Sequence, residues 1–328
     1  MPDYADYNLT VERQLLPTTV LSVAYVGSEA RHLAGEIDAN QPTLAAIQAH
    51  PTTKINALRP YLGYGYIKNR TTIFTSNYNS LQLDIQHRSS KGLTVGAAYT
   101  WSKTLTTNSA DRDSAATYTQ NLKMDYGPST FNQPQTLVFN YVYSLPFFKE
   151  QHGAEGLLLG GWELSGITQL LSGTSFSVVQ SGDPYAGSCA TCSVEGLGIN
   201  SIDGSNAARP DQVAKVHMTK KVDQWFSYHS FSAAQGHWGS TSAGSLLGPG
   251  MDKWDLALAK NTKLGEHVTF QLRAEAFNLF NHTNFSGVGS NISSGLPDDP
   301  DVNKRGNFGT VTGDHEPRLL QLGGKISF

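Results

Sequence analysis

A short acidic segment near the end of the chain is the best candidate for metal chemistry. Asp298, Asp299 and Asp301 lie close together, and Asn303 follows them. Carboxylate and amide oxygens are the ligands that Ca²⁺ prefers, but the segment lacks the spacing of an EF-hand loop and its terminal glutamate. A solvated acidic loop explains the same residues, so we predict no metal site here.

The histidines and the common catalytic motifs point in the same direction. The ten histidines are scattered, and none is spaced from another as HxH or HxxxH, which metal sites on strands and helices require. The sequence contains no GxSxG motif, no phosphate-binding P-loop and no GxGxxG after a strand. We therefore predict no catalytic residues, no bound cofactor and a protein that is not an enzyme.

Two cysteines, Cys189 and Cys192, lie in a segment rich in glycine and serine. A redox CxxC motif would be expected at the start of a helix beside a βαβ unit, and a zinc site would need two more ligands nearby. We predict a small loop disulfide between these two residues, formed in an oxidising compartment. Two unpaired thiols are the alternative.

Charged side chains recur at alternate positions of apolar segments. In residues 268–276, apolar residues alternate with Thr269, Gln271, Arg273 and Glu275. This period of two is typical of a β-strand with one apolar and one polar face. Five charged residues are predicted to face a common lumen, where they pair with one another or contact a plug or a solute: Asp84, Asp255, Arg273, Glu275 and Lys325.

The strands that position these charges follow one another along the whole chain. We predict about nine, in these segments: 7–15, 20–26, 77–88, 93–103, 135–145, 162–179, 252–263, 268–277 and 318–328. The turns near residues 16, 90, 153 and 265 are short or moderate, and they alternate with long connections at 28–75, 106–134, 180–251 and 286–316. A soluble antiparallel sheet also alternates in polarity. Long loops confined to one end instead favour an outer-membrane barrel.

Composition and charge agree with such a barrel. Only 39% of the residues are hydrophobic and 16% are charged, as expected when each strand has one face in lipid and one in water. A net charge of -3 and the lack of a basic patch exclude nucleic acid as a partner. No apolar stretch is long enough for a membrane helix. The first residues do not resemble a secretory signal, so export requires a signal peptide encoded upstream.

Aromatic residues form two kinds of cluster. Trp254 opens one predicted strand, and Phe277, Phe280 and Phe285 close the next, as aromatic residues do at the two membrane interfaces. Others are predicted to lie in the long loops, where they either contact a ligand from outside or pack the loops against one another: Tyr61, Tyr64, Tyr66, Trp225, Phe226, Tyr228, Phe231 and Trp238.

Several segments resemble one protein family. YNLTVERQLLPTTVLSVAYVGSEARHL, RPYLGYGYI with SNYNSLQLDIQHRSSKGLTVGAAYTWSK, GWELSGITQLLSGTSFSV, and GPGMDKWDLALAKNTKL with RAEAFNLFNHTNF follow in this order. They resemble the C-terminal barrel half of TonB-dependent outer-membrane receptors of the Oar-like type. The terminal Phe328 resembles the signal that the barrel-assembly machinery reads.

The resemblance implies a plugged barrel of about 22 strands, which takes up bulky nutrients of the siderophore, glycan or peptide class with energy relayed through TonB. Residues 1–328 would be its C-terminal part: an all-β, antiparallel transmembrane β-barrel segment with long extracellular loops, without the plug and the N-terminal strands. The implied location is the outer membrane of a Gram-negative cell. The implied partners are outer-membrane lipid, the barrel-assembly machinery, TonB through an N-terminal region and an unidentified solute. A non-transporting surface or adhesion module is the alternative.

Overall fold

The computed structural model describes residues 1–50, 53, 55–65, 67–89, 91–109, 119–180, 209–232, 234, 239–265, 268–292 and 295–328. Its three α-helices are short: α1 (Leu44–Ala49), α2 (Ile55–Leu58) and α3 (Gly153–Leu159). Single 3₁₀ turns occur at Leu122–Asp125, Tyr228–Ser230 and Val302–Lys304. Within these ranges, no helix has the length and hydropathy needed to cross a membrane.

Strands make up most of the ordered structure. The described ranges contain β1 (Asp3–Leu16), β2 (Thr19–Asp38), β3 (Lys68–Arg88), β4 (Leu93–Thr106), β5 (Gly127–Pro128), β6 (Gln135–Ser144), β7 (Trp162–Leu171), β8 (Ser175–Phe176), β9 (Asp211–Gln212), β10 (Phe231–Ser232), β11 (Leu246–Leu247), β12 (Met251–Lys263), β13 (Thr269–Phe277), β14 (Phe285–Val288), β15 (Val311–Asp314) and β16 (Leu319–Ser327).

Nine of these strands form one large antiparallel sheet in the order β1-β2-β3-β4-β6-β7-β12-β13-β16, and β5 pairs with β4 at its edge. Each strand pairs with the next long strand along the chain, so the sheet is a simple meander. The predicted antiparallel all-β fold and the predicted nine strands are confirmed. The six remaining two-residue and four-residue strands form three small pairs within the connections.

The boundaries of two strands differ from the prediction. β2 continues to Asp38 and β3 begins at Lys68, so the predicted loop 28–75 is wrong at both ends. The upper part of this hairpin carries polar residues on both faces, which removes the apolar alternation on which the prediction depends. β7 ends at Leu171, before the predicted end at 179, and Ser175–Phe176 pairs instead with Leu246–Leu247.

The lengths of β2 and β3 exceed what a membrane requires. They contain 20 and 21 residues, whereas about 9–11 residues of a tilted strand cross a bilayer. In the predicted membrane barrel, the β2–β3 hairpin would therefore extend well beyond the bilayer at the end that carries the long connections. Register shifts between Ala30, Leu33 and Gly35 mark where this extension bends.

The pairing register separates the two faces of the sheet. Residues that are direct cross-strand partners lie on the same face, so Leu258, its partner Leu164 on β7 and its partner Ala274 on β13 share one side. We call this side the apolar face. It includes Val23, Leu83, Tyr99, Leu137, Leu170, Trp254, Leu256, Leu272, Leu320, Leu322 and Ile326.

Most apolar side chains of the sheet remain partly exposed, and the largest buried apolar cluster lies in the connections. We call this cluster the loop core, and it consists of Val178, Trp225, Phe226, Tyr228, Phe231, Leu246 and Phe308. Its residues come from the connections 172–250 and 278–318. Phe226 lies at its centre, with its ring centroid 5.3 Å from that of Phe308 and 5.7 Å from that of Phe231. The two longest connections are thus packed into one unit.

Candidate functional site

The second side of the sheet carries the charged residues singled out in the sequence, and we call it the polar face. Asp255 and Ala257 alternate with the apolar-face residues of β12, and Ala257 is the partner of Glu275. Arg273 pairs with Gly323 and Gln271 with Lys325, so these residues share the same side. Asp84, on β3, pairs with Ala98 and lies on this side as well. The register therefore puts all five residues on one face.

Three of the five residues meet in a groove of about 350 Å³. Asp255, Arg273 and Glu275 line it together with Asn140 and Ser165. Lys325 lies one row farther along β16, and Asp84 lies several strands away. The sequence therefore identified the acidic and basic side chains of the groove, whereas the groove itself depends on β6 and β7.

The charges in the groove are arranged in short pairs along the strands. Arg273 Nε lies 2.8 Å from Glu275 Oε1, and Lys253 Nζ lies 3.3 Å from Asp255 Oδ2. Two alanines, Ala257 and Ala259, lie opposite Glu275 and Arg273 and are almost fully buried. Since small residues leave room above the sheet, the long charged side chains can rest on them. The groove offers both charge signs and several hydrogen-bonding groups to a polar molecule.

Several residues of the polar face were missed in the sequence. Asn140, Glu163 and Lys253 lie there by register, and Ser144 Oγ donates a hydrogen bond to Glu163 Oε2 at 3.2 Å. The signal for them was the same alternation that identified Arg273 and Glu275. It was harder to read on β6 and β7, because the polar face of these strands also carries Val138, Val142 and Ile167.

A cluster of asparagines closes the long-loop end of the groove. Asp255 Oδ1 accepts a hydrogen bond from the backbone N–H of Asn278 at 2.9 Å. The buried Asn278 side chain donates to the carbonyl of His282 at 2.9 Å and accepts from its N–H at 3.0 Å. Asn278 and Asn281 both have φ of 51°, which asparagine tolerates better than most residues. This turn fixes the position of Asp255 at the mouth of the groove.

The tyrosine-rich segment of connection 39–67 projects outward. Tyr61, Leu62 and Tyr64 have 58%, 67% and 67% of their surface exposed. The backbone beneath them is held by Asn40, whose side-chain nitrogen donates to the carbonyls of Tyr61, Tyr64 and Gly65 at 3.1, 3.1 and 2.8 Å. We call residues 61–64 the tyrosine tip. Its side chains are available to a ligand while its backbone is fixed.

A buried ion pair supports Asn40. Arg59 Nη1 lies 3.0 Å from Asp38 Oδ2, and both side chains are at least 96% buried. Asp38 Oδ1 accepts from the backbone N–H groups of Asn40 and Ile67 at 2.8 and 3.0 Å. Hydrogen bonds to each partner offset the cost of burying the two charges. This network closes connection 39–67 at its base.

The second group of loop aromatics has a different role. Trp225 and Phe226 are 7% and 0% exposed and belong to the loop core. Trp225 Nε1 donates to the carbonyl of Leu247 at 2.9 Å, and its backbone N–H donates to the carbonyl of Gly309 at 2.7 Å. These two residues pack the loops against one another, which was one of the two alternatives. Tyr66, Trp238, Cys189 and Cys192 lie outside the described residues.

The acidic segment of Asp298, Asp299 and Asp301 is tied to the loop core. Asp298 Oδ2 lies 2.9 Å from His229 Nε2, and this hydrogen bond lowers the pKa of Asp298. Burial of the neighbouring Tyr228 hydroxyl, followed by the nearby Asp298 charge, raises the pKa of Tyr228. Asp299 and Asp301 accept backbone N–H groups of their own segment. Among the residues that the structure describes, no three His, Cys, Asp or Glu side chains converge as a metal site would require.

The final candidate is Phe328, which follows β16 and is 98% exposed. It follows Ile326, which lies on the apolar face, by two positions along the chain. The predicted barrel-assembly signal at Phe328 stays a prediction.

Residues 1–321 match the family model described as the outer membrane beta barrel domain. No curated protein matches the sequence. Across 99–100% of its length, the chain is similar in structure to parts of outer-membrane receptors and transporters.

Three of these solved proteins illustrate the likeness. The outer membrane transporter YddB from Escherichia coli has a TM-score of 0.49 at 8% identity, with 99% of this chain and 32% of that chain covered. The ferripyoverdine receptor of Pseudomonas aeruginosa, bound to ferripyoverdine, has a TM-score of 0.43 at 10% identity, with 99% and 27% covered. The copper transporter OprC has a TM-score of 0.40 at 11% identity, with 100% and 31% covered. The chain therefore spans less than a third of the length of these proteins.

Proposed function

Because the chain belongs to the outer membrane beta barrel domain family, we propose that it is the C-terminal part of the barrel of a TonB-dependent outer-membrane receptor. Its membership confirms the predicted outer-membrane location and the membrane-spanning β-sheet. In the proposed receptor, the apolar face contacts lipid and the polar face lines the lumen. The solute is a bulky nutrient of the siderophore, glycan or peptide class.

The observation that carries this proposal is the separation of the sheet into two chemically distinct faces. Leu258, Leu272 and Ile326 are 40–59% exposed on the apolar face. Contact of these side chains with water is unfavourable, whereas contact with lipid hydrocarbon is favourable. The groove on the opposite face holds Asp255, Arg273 and Glu275. A polar lumen that contacts a plug or a solute explains why these three charges are grouped on this face.

The long connections support uptake rather than a purely structural role. The tyrosine tip presents exposed aromatic rings on a fixed backbone, and such rings bind sugars and planar chelates by stacking. The proposed path runs from the tyrosine tip past the loop core to the groove. No residue of this path is assigned a catalytic role.

An uptake assay in cells tests the proposal. Cells that produce the full receptor would be given labelled ferric siderophores, oligosaccharides or peptides, with and without an intact TonB system. We expect TonB-dependent uptake of one class. Arg273→Ala should reduce that uptake, because it removes a charge from the groove, while Thr269→Ala, at the far end of the same strand and face, should leave it nearly unchanged. The proposal would be contradicted if none of the three classes were taken up, or if uptake were the same with and without TonB.

A surface or adhesion module is the second candidate, and the tyrosine tip is the observation that favours it. An exposed aromatic tip with a rigid base also suits binding to a partner cell or matrix. In that case, a Tyr61→Ala and Tyr64→Ala double variant would abolish adhesion of the cells, while Arg273→Ala would have no effect. The two variants therefore separate the two functions.

A further inference from the structure

We propose that the connection 145–161 between β6 and β7 is a membrane-surface anchor. Helix α3 and the phenylalanines that precede it would lie on the phospholipid of the periplasmic leaflet, on the outer side of the barrel wall. The connection joins its strands at the end of the sheet that carries the short turns. In outer-membrane barrels, this end faces the periplasm.

Two side chains of the apolar face fix the position of α3. Trp162 and Lys260 are direct cross-strand partners and share this face with Leu258 and Leu272. Trp162 Nε1 donates to the carbonyl of Leu158 at 3.1 Å, and Lys260 Nζ donates to the carbonyl of Leu157 at 2.6 Å and to that of Gly160. Because both donors project from the apolar face, the C-terminal end of α3 lies on the lipid side of the wall.

The same contacts give the ammonium group of Lys260 polar partners on the lipid-facing side of the sheet. A lysine on a lipid-facing surface is unfavourable unless its ammonium group reaches headgroups or backbone carbonyls. The last carbonyls of a helix are suitable partners, since they carry the negative end of the helix dipole. Lys260 Nζ also lies 5.6 Å from the centre of the Trp162 ring, within the range of a cation–π contact. The helix and the lysine thus stabilise each other at the membrane boundary.

The connection is held rigidly against β12. The buried Gln151 side chain donates to the carbonyl of Asn261 at 2.7 Å and accepts from the N–H of Lys263 at 3.0 Å. Asn261 in turn donates its N–H to the carbonyl of Gly161 at 2.8 Å. Gly161 has φ of 74°, and a Cβ there would approach the Asn261 carbonyl to 2.1 Å. These bonds attach the connection to β12 on both sides of α3.

Five large apolar side chains of this rigid connection remain exposed. Their exposed fractions range from 42% to 69%, and the residues are Phe147, Phe148, Leu157, Leu158 and Leu159. Exposed apolar groups of this number on a short segment indicate an interaction surface. Exposed Lys149, Glu150 and Glu155 lie beside them in sequence, as expected where hydrocarbon meets lipid headgroups.

Continuity with the lipid-facing wall identifies the partner as phospholipid. The row of Lys260 and Leu272 is followed, nearer the short turns, by the row of Phe270 and Ile326. That farther row is still apolar on β13 and β16, where Ile326 is 59% exposed, and it contains Thr262 on β12. The level at which α3 is attached therefore lies within the apolar band or at its edge. A surface that binds a soluble periplasmic protein would instead be expected outside the apolar band, on its periplasmic side.

Fluorescence quenching in vesicles tests the proposal. The receptor that carries this chain, with Cys189 and Cys192 replaced by serine, would receive a Leu158→Cys substitution and an environment-sensitive label. It would be reconstituted in phosphatidylethanolamine and phosphatidylglycerol vesicles whose acyl chains are brominated near the headgroup. We expect a loss of about half or more of the label's emission, since interfacial helices lie about 5–10 Å below the headgroups. Aqueous iodide should quench the label weakly.

Two further labelled variants serve as controls for a lipid-facing and a water-exposed position. Leu272→Cys, on the apolar face, should be quenched by the brominated lipid, and Tyr64→Cys, in the tyrosine tip, should be quenched by iodide alone. Leu157→Cys provides a second site should the Leu158 variant fail to fold. A label on α3 that behaves like the Tyr64 label in these protein-free vesicles would overturn the proposal and would leave a periplasmic protein as the partner of this surface.

Discussion

Asn284 pairs with the backbone of Asp252 as if it were a neighbouring strand. Its side-chain Oδ1 accepts from the Asp252 N–H at 2.7 Å, and its Nδ2 donates to the Asp252 carbonyl at 3.0 Å. Asn284 is 4% exposed. The backbone N–H and the backbone carbonyl of Asp252 thus both have a partner in Asn284. This contact lies where β12 begins and the long connection 278–318 passes over it.

Replacing Asn284 should therefore weaken the long-loop end. Asn284→Ala removes the partner of two part-buried backbone groups of Asp252, and we expect a loss of about 1–2 kcal/mol in the free energy of unfolding. Asn284→Asp should be worse at neutral pH, because a carboxylate oxygen would face the Asp252 carbonyl. Urea unfolding in lipid vesicles measures both. His282→Ala, which changes an exposed side chain of the same turn, should be nearly neutral, and equal losses in all three variants would contradict the assigned role.

The two kinds of ion pair in the β2–β3 region should respond very differently to removal of the carboxylate. Asp38→Ala removes the carboxylate that lies 3.0 Å from the buried Arg59 guanidinium, and breaking a buried ion pair costs about 3–5 kcal/mol. The tyrosine tip should loosen as a result. Limited proteolysis of connection 39–67 measures this, and we expect much faster cleavage in the variant.

The matched control uses the exposed pair on the same strand. Arg31 Nη2 lies 3.2 Å from Glu29 Oε2, and these side chains are 69% and 45% exposed. Glu29→Ala should change stability by about 0–1 kcal/mol, as exposed ion pairs do. Cleavage rates that rise equally in both variants would show that the buried network does not hold the tip.

Arginine substitutions on opposite faces of β13 test the assigned facing. Leu272 is 51% exposed on the apolar face in the row of Lys260, on the side of the short turns, so Leu272→Arg should cost an amount between the about 2–4 kcal/mol of a midplane arginine and the about 0–1 kcal/mol of one at the interface. Gln271→Arg, one residue away on the polar face, should be mild. Folding into lipid vesicles, followed by urea titration, compares the two. Similar losses would mean that one of these faces has been assigned wrongly.

The contact between His229 and Asp298 predicts a pH effect at the loop core. His229→Ala should raise the pKa of Asp298 toward its ordinary value of 3.8, because the hydrogen bond from His229 is the main cause of its lowering. A carbon NMR titration of the Asp298 carboxyl measures this. His315→Ala, which changes an exposed histidine elsewhere in the long connections, should leave the titration unchanged.

The sign of the associated stability effect follows from the direction of the pKa. Since the pKa of Asp298 is lower in the folded protein, its contribution is complete above its ordinary value and is lost as the pH falls through the lowered value. Acid should therefore loosen the contact between the segment 295–301 and Tyr228. An Asp298→Asn variant that still showed the same acid response would rule out this carboxyl as the cause.

Alternation in the sequence was sufficient to predict the sheet and most of the polar face. Arg273, Glu275 and Asp255 could be assigned because each lies between apolar neighbours on a regular strand. The upper parts of β2 and β3 could not be predicted in this way, because Glu36 and Asp38 are polar yet nearly buried. Glu36 pairs with Lys68, and Asp38 belongs to the network around Arg59. That burial depends on partners far away in the sequence, and no local pattern records it.

The loop core and the role of α3 could not be predicted from the sequence, for a related reason. Trp225, Phe226 and Phe308 come from two connections, and only the three-dimensional structure brings their rings together. In α3, three consecutive leucines do not form an amphipathic stripe. Their role depends on Lys260, which is about a hundred residues away along the chain.

The alternation of short and long connections also dictates an order of folding. The pairs β1–β2, β3–β4, β6–β7 and β12–β13 are closed through residues 17–18, 89–92, 145–161 and 264–268, so their ends meet at a low entropic cost. The remaining pairings must close over the long connections, which is slower. We expect four hairpins to form first and then to associate side by side. The loop core, made from two of the long connections, can pack only when those hairpins are neighbours, so the end that carries the long connections is the last to become native.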